Sequence, residues 1–215
     1  MAFPGLFPDL TRYQAEADQA RIDKGQDTWK NDPAKVAQAL TAKFFDWKRP
    51  STTQILSGGG ARDVDAVVLV KETAPQGAQS SYAPFVRVTL SRLGGNTHNI
   101  WVVVKVEDDH LLTLTNIPAR SLVFNPVTLK GKGAAFEAVI GRAVVYDHLY
   151  NDIGHAQITG SPGMGIADYS TSVQYRSTYG AGAQEGIIAV HEANGGLSEE
   201  IYTAVMVKVL LAQQR

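Results

Sequence analysis

TNIPARSLVFNPVTLKGKGAAFEAVIGRAVVYD, residues 115–147, alternates apolar and polar side chains and is interrupted by Pro, Asn and Gly. Period-two alternation between turn residues predicts half-buried strands, because successive side chains on a strand point to opposite faces. The pattern continues to the C-terminus with no helical stretch. Strands are predicted at Leu122 to Phe124, Val127 to Gly133, Glu137 to Asp147, Gly154 to Thr159, Asp168 to Arg176, Gly186 to Glu192 and Tyr202 to Leu210. Short strands with a turn signal about every ten residues predict two antiparallel sheets packed face to face. Val139, Val144, Tyr146, Val173, Tyr175, Ile188, Val190, Val205, Val207 and Val209 are the expected core.

Upstream, the periodicity is first helical. A helix is expected over residues 9–24, with Asp9 as its cap, Leu10, Tyr13, Ala17 and Ala20 on one face, and Gly25 at its end. A second is expected from Asp32-Pro33, a cap followed by a proline at a position needing no backbone donor. Val36, Leu40, Phe44 and Trp47 recur on its buried face, and Pro50 forbids continuation. The period then drops to two over Asp63 to Val70, Tyr82 to Leu90 and Ile100 to Val106, with Gly94, Gly95 and Asn96 as a hairpin turn and Leu111 to Thr115 as a fourth strand. The predicted organisation is a helical segment over residues 1–25, an α+β domain over 26–113 and an all-β sandwich over 114–215.

Composition narrows the function classes. The 215 residues hold 44% apolar and 19% charged side chains with a net charge of −1. Neither half has the basic excess that nucleic acid or an anionic membrane would attract, so no nucleic-acid partner is expected. There is no cysteine, which removes disulfides, thiolate zinc, iron–sulfur clusters and thiol nucleophiles. The opening MAFPGLFPDLTRY has no basic start and no apolar run of signal length. No stretch approaches the roughly 20 apolar residues of a membrane helix, so no insertion of this segment is expected.

Several motifs of the second half resemble those of the immunoglobulin-like domain of bacterial spore germination. Ile117 and Pro118 are similar to its opening phrase; Pro126, Val127, Leu129 and Gly131 to its second phrase; and Phe136 and Glu137 to the pair that follows. Gly186, Glu192 and the terminal IYTAVMVKVLL are similar to its last two strands, so the likeness runs over residues 114–211. Trp29, Asp32 and Pro33 in GQDTWKNDPAKVAQAL are similar to a segment of domains that precede it in secreted bacterial proteins. The resemblance implies a noncatalytic interaction or scaffolding module, secreted or in the cell envelope, linked to sporulation or germination. Its partner would be a protein or a cell-wall glycan, and its signal or anchor would lie upstream of Met1.

Few constellations point to chemistry. Asp147, His148, Asp152 and His155 in DHLYNDIGHA are residue types that bind divalent transition metals, or else ordinary polar side chains at a hairpin tip. The hairpin-tip reading is adopted, with no metal and no cofactor. SGGGARD, residues 57–63, and GSPGMG, residues 160–165, lack the following helix and lysine of a phosphate loop. Asp63 and Asp65 share a strand face, and Glu107, Asp108, Asp109 and His110 read as a charged turn. Tyr146, Tyr150, Tyr169, Tyr175 and Tyr179 offer either binding surface or core. Two alternatives stay open: a small-molecule or glycan binder with a pocket lined by Phe44, Trp47 and Trp101, and a hydrolase with a site at the domain junction.

Overall fold

The computed structural model describes residues 3–74, 83–108, 111–161, 163, 165–177, 179, 182–193 and 201–212. These residues form mostly antiparallel sheet, with two short helices near the N-terminus. The chain divides into two units, Met1–Val106 and Glu107–Arg215.

In the first unit, α1 (Arg12–Ile22) starts at Thr11. The Thr11 hydroxyl accepts the Gln14 N–H at 3.2 Å, and the Gln14 side chain accepts the Thr11 N–H at 2.9 Å. This reciprocal capping box displaces the expected cap at Asp9. Asp9 is instead buried near Lys30, whose Nζ lies 3.6 Å from its carboxylate and also pairs with Asp18. Burial raises the Asp9 pKa and lowers that of Lys30, while each charge partly restores the other. The tryptophan of the GQDTWKNDP stretch thus precedes a lysine that ties down the chain entering α2.

Helix α2 (Pro33–Phe44) is capped by the Asp32 carboxylate, which accepts the Ala34 and Lys35 N–H groups at 2.9 and 3.3 Å. Val36, Ala37, Leu40 and Phe44 are its buried apolar stripe. Trp47 does not continue that stripe. The helix ends three residues earlier, Asp46 turns the chain at φ 48°, and Trp47 stands half-buried with its ring edge-on to Phe45 at 5.1 Å.

Strands β1 (Ser51–Gly58), β2 (Asp65–Glu72), β3 (Phe85–Arg92) and β4 (Trp101–Glu107) lie side by side in chain order. Val68, Val70, Val86, Val88 and Leu90 alternate inward and are fully buried, and α2 packs on β1, β2 and β3. Ile100 and Val102 pack with Phe3 and with Ala15 and Ile22 of α1. Strand β1 was not expected. Seven of its eight residues are exposed, so it has no burial alternation to read.

The second unit has two sheets. Strands β7 (Val139–Tyr146), β8 (Asp152–Thr159), β10 (Ala183–Ala193) and β11 (Ile201–Ala212) pair antiparallel in the order β8, β7, β10, β11. The short β5 (Leu122–Val123) pairs parallel to β11. Strands β6 (Val127–Ala135) and β9 (Gly165–Val173) form the other sheet. Thr113 and Thr115 donate to the carbonyls of Lys132 and Lys130 beside β6, although residues 111–115 form no strand of their own. Leu129, Tyr169 and Val173 of β6 and β9 face Ile140, Val145, Ile188, Val190, Val209 and Leu211 of the larger sheet in one core. This arrangement is sandwich-like. Gly131 is required where it stands, since a Cβ there would meet the Thr113 carbonyl oxygen at 1.9 Å.

Tyr175 ties the sheet edges together. Its hydroxyl donates to the carbonyls of Val123 at 2.9 Å and Ala212 at 3.3 Å, and its N–H donates to the Asn125 side chain at 2.7 Å. With no disulfide available, packing and such bonds hold the unit. Ile188→Ala, which empties a fully buried site between the sheets, is expected to cost about 2–5 kcal/mol in chemical denaturation. A loss below about 0.5 kcal/mol, the usual effect of a surface substitution, would place Ile188 outside the core.

Candidate interaction surface

The polar loop of DHLYNDIGHA is built for shape. Asp147 is buried, and its carboxylate accepts the backbone N–H groups of Leu149 and Asn151 at 2.8 and 2.9 Å and the Asn151 side-chain amide at 3.0 Å. It holds the turn in which Tyr150 adopts φ 64°. Asp152 lies 3.0 Å from both the Arg142 guanidinium and His155 Nδ1. His148 faces elsewhere: Nδ1 is 3.3 Å from Gln184 Oε1, and its ring meets Tyr179 edge-on at 5.8 Å. The two imidazoles therefore have different neighbours. Among the described residues, no three His, Asp or Glu side chains gather as a metal-holding group.

Phe44, Trp47 and Trp101 also have different ring partners. Phe44 packs edge-on to Phe7 at 6.0 Å, Trp47 on Phe45, and Trp101 lies fully buried beneath the Arg92 guanidinium at 4.3 Å. Arg92 is held by the carbonyls of Asp63 and Asn99 at 2.9 and 2.7 Å, which makes Trp101 part of a closed corner. Residues 57–63 end β1 and close its hairpin, where the Asp63 carboxylate accepts the Gly60 N–H at 2.8 Å. Asp65 is exposed. Asp109, His110 and two positions of GSPGMG, 162 and 164, lie outside the described residues.

The tyrosines divide by environment. Tyr169 and Tyr175 are buried; the Tyr169 hydroxyl donates to the Thr113 carbonyl at 2.7 Å, and burial raises its pKa. Burial likewise lifts Tyr146 to about 12. Tyr179 is exposed and, with Leu149, leaves an aromatic and an aliphatic side chain in solvent beside His148.

The most distinctive surface is apolar and rigidly backed. Leu122 and Leu210 are opposite one another across the parallel β5–β11 pair, and both are exposed, with Phe124 two residues further on exposed by 63%. Between them Val123 points into the core, under the Tyr175 hydroxyl. The Leu210 N–H donates to the Ser121 carbonyl at 2.9 Å. Two residues before Leu210, buried Lys208 pairs with Glu185 at 2.9 Å. Burial lowers the lysine's pKa and the carboxylate restores part of it. The signal was present in the sequence as the run Leu122-Val123-Phe124, since one strand cannot turn three consecutive large residues inward.

Strand β10 carries two ionisable side chains into low dielectric. His191 is pushed down to about 4 by burial, with the nearby Arg142 charge adding to the shift. Glu192 is pushed up to about 7 by burial and by Asp108, against a hydrogen bond from the Ala134 N–H at 3.1 Å. No family model, curated protein or solved structure matches the chain.

These neighbours act oppositely on stability. A carboxyl whose folded pKa is raised contributes stability below its unfolded value of 4.5 and loses it as pH rises towards about 7. A depressed imidazole does the reverse, so its contribution is lost as pH falls from 6.5 through about 4. The stability of the native chain minus that of Glu192→Gln is therefore expected to fall from about pH 4.5 to 7. The corresponding difference for His191→Phe is expected to rise from about pH 4 to 6.5. Urea titrations across pH measure both, and parallel differences would refute the assignment.

Proposed function

We propose that this chain is a noncatalytic interaction or scaffolding protein of the bacterial cell envelope or medium, and that its second unit is an immunoglobulin-like sandwich akin to the domain of bacterial spore germination. The partition of strands supports the fold reading. In an immunoglobulin-like sandwich the second and fifth strands share one sheet while the third, sixth and seventh share the other. Here β6 and β9 pair in one sheet, while β7, β10 and β11 adjoin in the other, which β5 and β8 also join as partners of β11 and β7. The motif likeness over residues 114–211 points the same way.

The observation that carries the functional reading is the exposed set of Leu122 on β5, Leu210 on β11 and Phe124 just after β5, beside Val123, Val209 and Leu211, which are locked in the core. A preorganised apolar surface loses little conformational freedom when covered, which suits a protein partner that contributes apolar side chains of its own. Among the described residues, no helix is long and apolar enough to cross a membrane.

A photo-crosslinking residue at position 124 of the protein in its own cells, followed by fractionation, tests this. A crosslink to a protein in the envelope or medium fraction is expected. Leu210→Asp should abolish it while changing stability by no more than about 0.5 kcal/mol. A chain confined to the cytosol, or a crosslink that persists in Leu210→Asp, would overturn the reading.

A further inference from the structure

We propose that β1 of the first unit is a self-association edge, at which two copies of this chain pair their β1 strands antiparallel about a two-fold axis. The inference does not depend on the envelope reading. Strand β1 ends its sheet, with β2 on one side and no strand of the described residues on the other. An edge of this kind presents a row of backbone donors and acceptors to any extended chain.

The hydrogen-bond alternation identifies which groups face outward. The Thr73 N–H donates to the Pro50 carbonyl at 2.9 Å, so residues 50, 52 and 54 turn their backbone groups towards β2. Ser51, Thr53 and Ile55 then turn theirs away. The Ser51 carbonyl agrees, since it accepts the Gln38 side-chain amide at 2.9 Å instead of a strand partner. Thr53 and Ile55 are left as the outward pair. A two-fold through Gln54 sets Thr53 of each copy opposite Ile55 of the other, so that each pair exchanges both backbone hydrogen bonds. The register irregularity between Ile55 and Ser57 ends the ladder there.

The chemistry of the strand favours a second copy as the occupant. Ser51–Gly58 reads STTQILSG, with no charge and no proline. Edge strands are usually protected by charges, and β8, which ends the order β11, β10, β7, β8 in the second unit, carries Asp152 and His155. Pairing β1 with itself brings no like charges together and sets β-branched Thr against β-branched Ile. Ile55 and Leu56 are exposed by 46% and 41%, although Ile55 sits opposite fully buried Val68. Because the contact is isologous it closes at two copies.

Analytical ultracentrifugation of the full chain from about 1 to 200 µM tests this, a range set by the few bonds such a small, transient interface makes. A mass rising towards that of a dimer is expected. Thr53→Pro removes an outward N–H that β2 does not use, and Ile55→Lys sets two charges near the axis. Each should hold the chain monomeric throughout the range with its melting temperature little changed. Amide exchange of the native chain gives a variant-free readout, in which protection at Thr53 and Ile55 should rise with concentration. A native chain that stays monomeric, a dimer that survives both substitutions, or exchange independent of concentration would overturn the proposal.

Discussion

Strand β10 is the member on which the second unit depends, because it is buried on both faces and paired along both edges. From Gly186 to Glu192 every residue is buried, with β7 on one side and β11 on the other. Its odd and even side chains do different work. Ile188 and Val190 enter the core shared with β6 and β9, while Ile187, Ala189 and His191 occupy the opposite face and are also out of water. A strand in this position cannot alternate apolar with polar, which is why it reads as a nearly continuous apolar run. Its cost is electrostatic. His191 and Glu192 sit where neither charged form is well solvated, and their opposed shifts oppose each other between about pH 4.5 and 6.5.

Close approach around this strand sets the glycines and the tyrosine. A Cβ on Gly141 would lie 1.9 Å from the His191 carbonyl oxygen, so β7 can meet β10 there only as glycine. Tyr175 then fixes β5 and the end of β11 together through a single hydroxyl. The consequence reaches the surface. Once Val123 is held inward, Leu122 and Phe124 have no route to the core and stand in solvent beside Leu210. The apolar strip is thus a product of the same packing that makes the unit stable, which is what a preorganised contact surface requires.

Much of this was legible in the residues, for identifiable reasons. The Asp32-Pro33 cap and the apolar spacing to Phe44 are local signals, and they place α2 at its observed start. Strands β2, β3, β4 and β6 to β11 alternate or run apolar between turn residues, and their positions follow. The departures have physical causes too. Asp9 has the chemistry of a cap, but Thr11 with Gln14 closes a better box, four residues before Lys30's other partner, Asp18, on the same helix. Trp47 keeps the helical spacing after the backbone has left the helix at Asp46. Strand β1 buries almost nothing, so no pattern marks it. Asp147 and Asp152 look alike in sequence, yet one is spent on backbone amides and the other on Arg142 and His155. What each carboxylate binds is a property of the fold and not of the loop.

The parallel β5–β11 pair sets the strand order of the second unit apart from a simple antiparallel meander, and it aligns the exposed strip. The chain has no cysteine of its own, so a cysteine pair reports on that contact without interference. Leu122→Cys with Leu210→Cys places two thiols on residues in register, both at the surface. Adjacent strands bring such Cα atoms within the 4.4–6.8 Å or so that a disulfide spans. Mild oxidation of the folded double variant, followed by thiol counting and intact mass, is predicted to give a single intramolecular disulfide. Two free thiols under conditions that leave the chain folded would contradict the account.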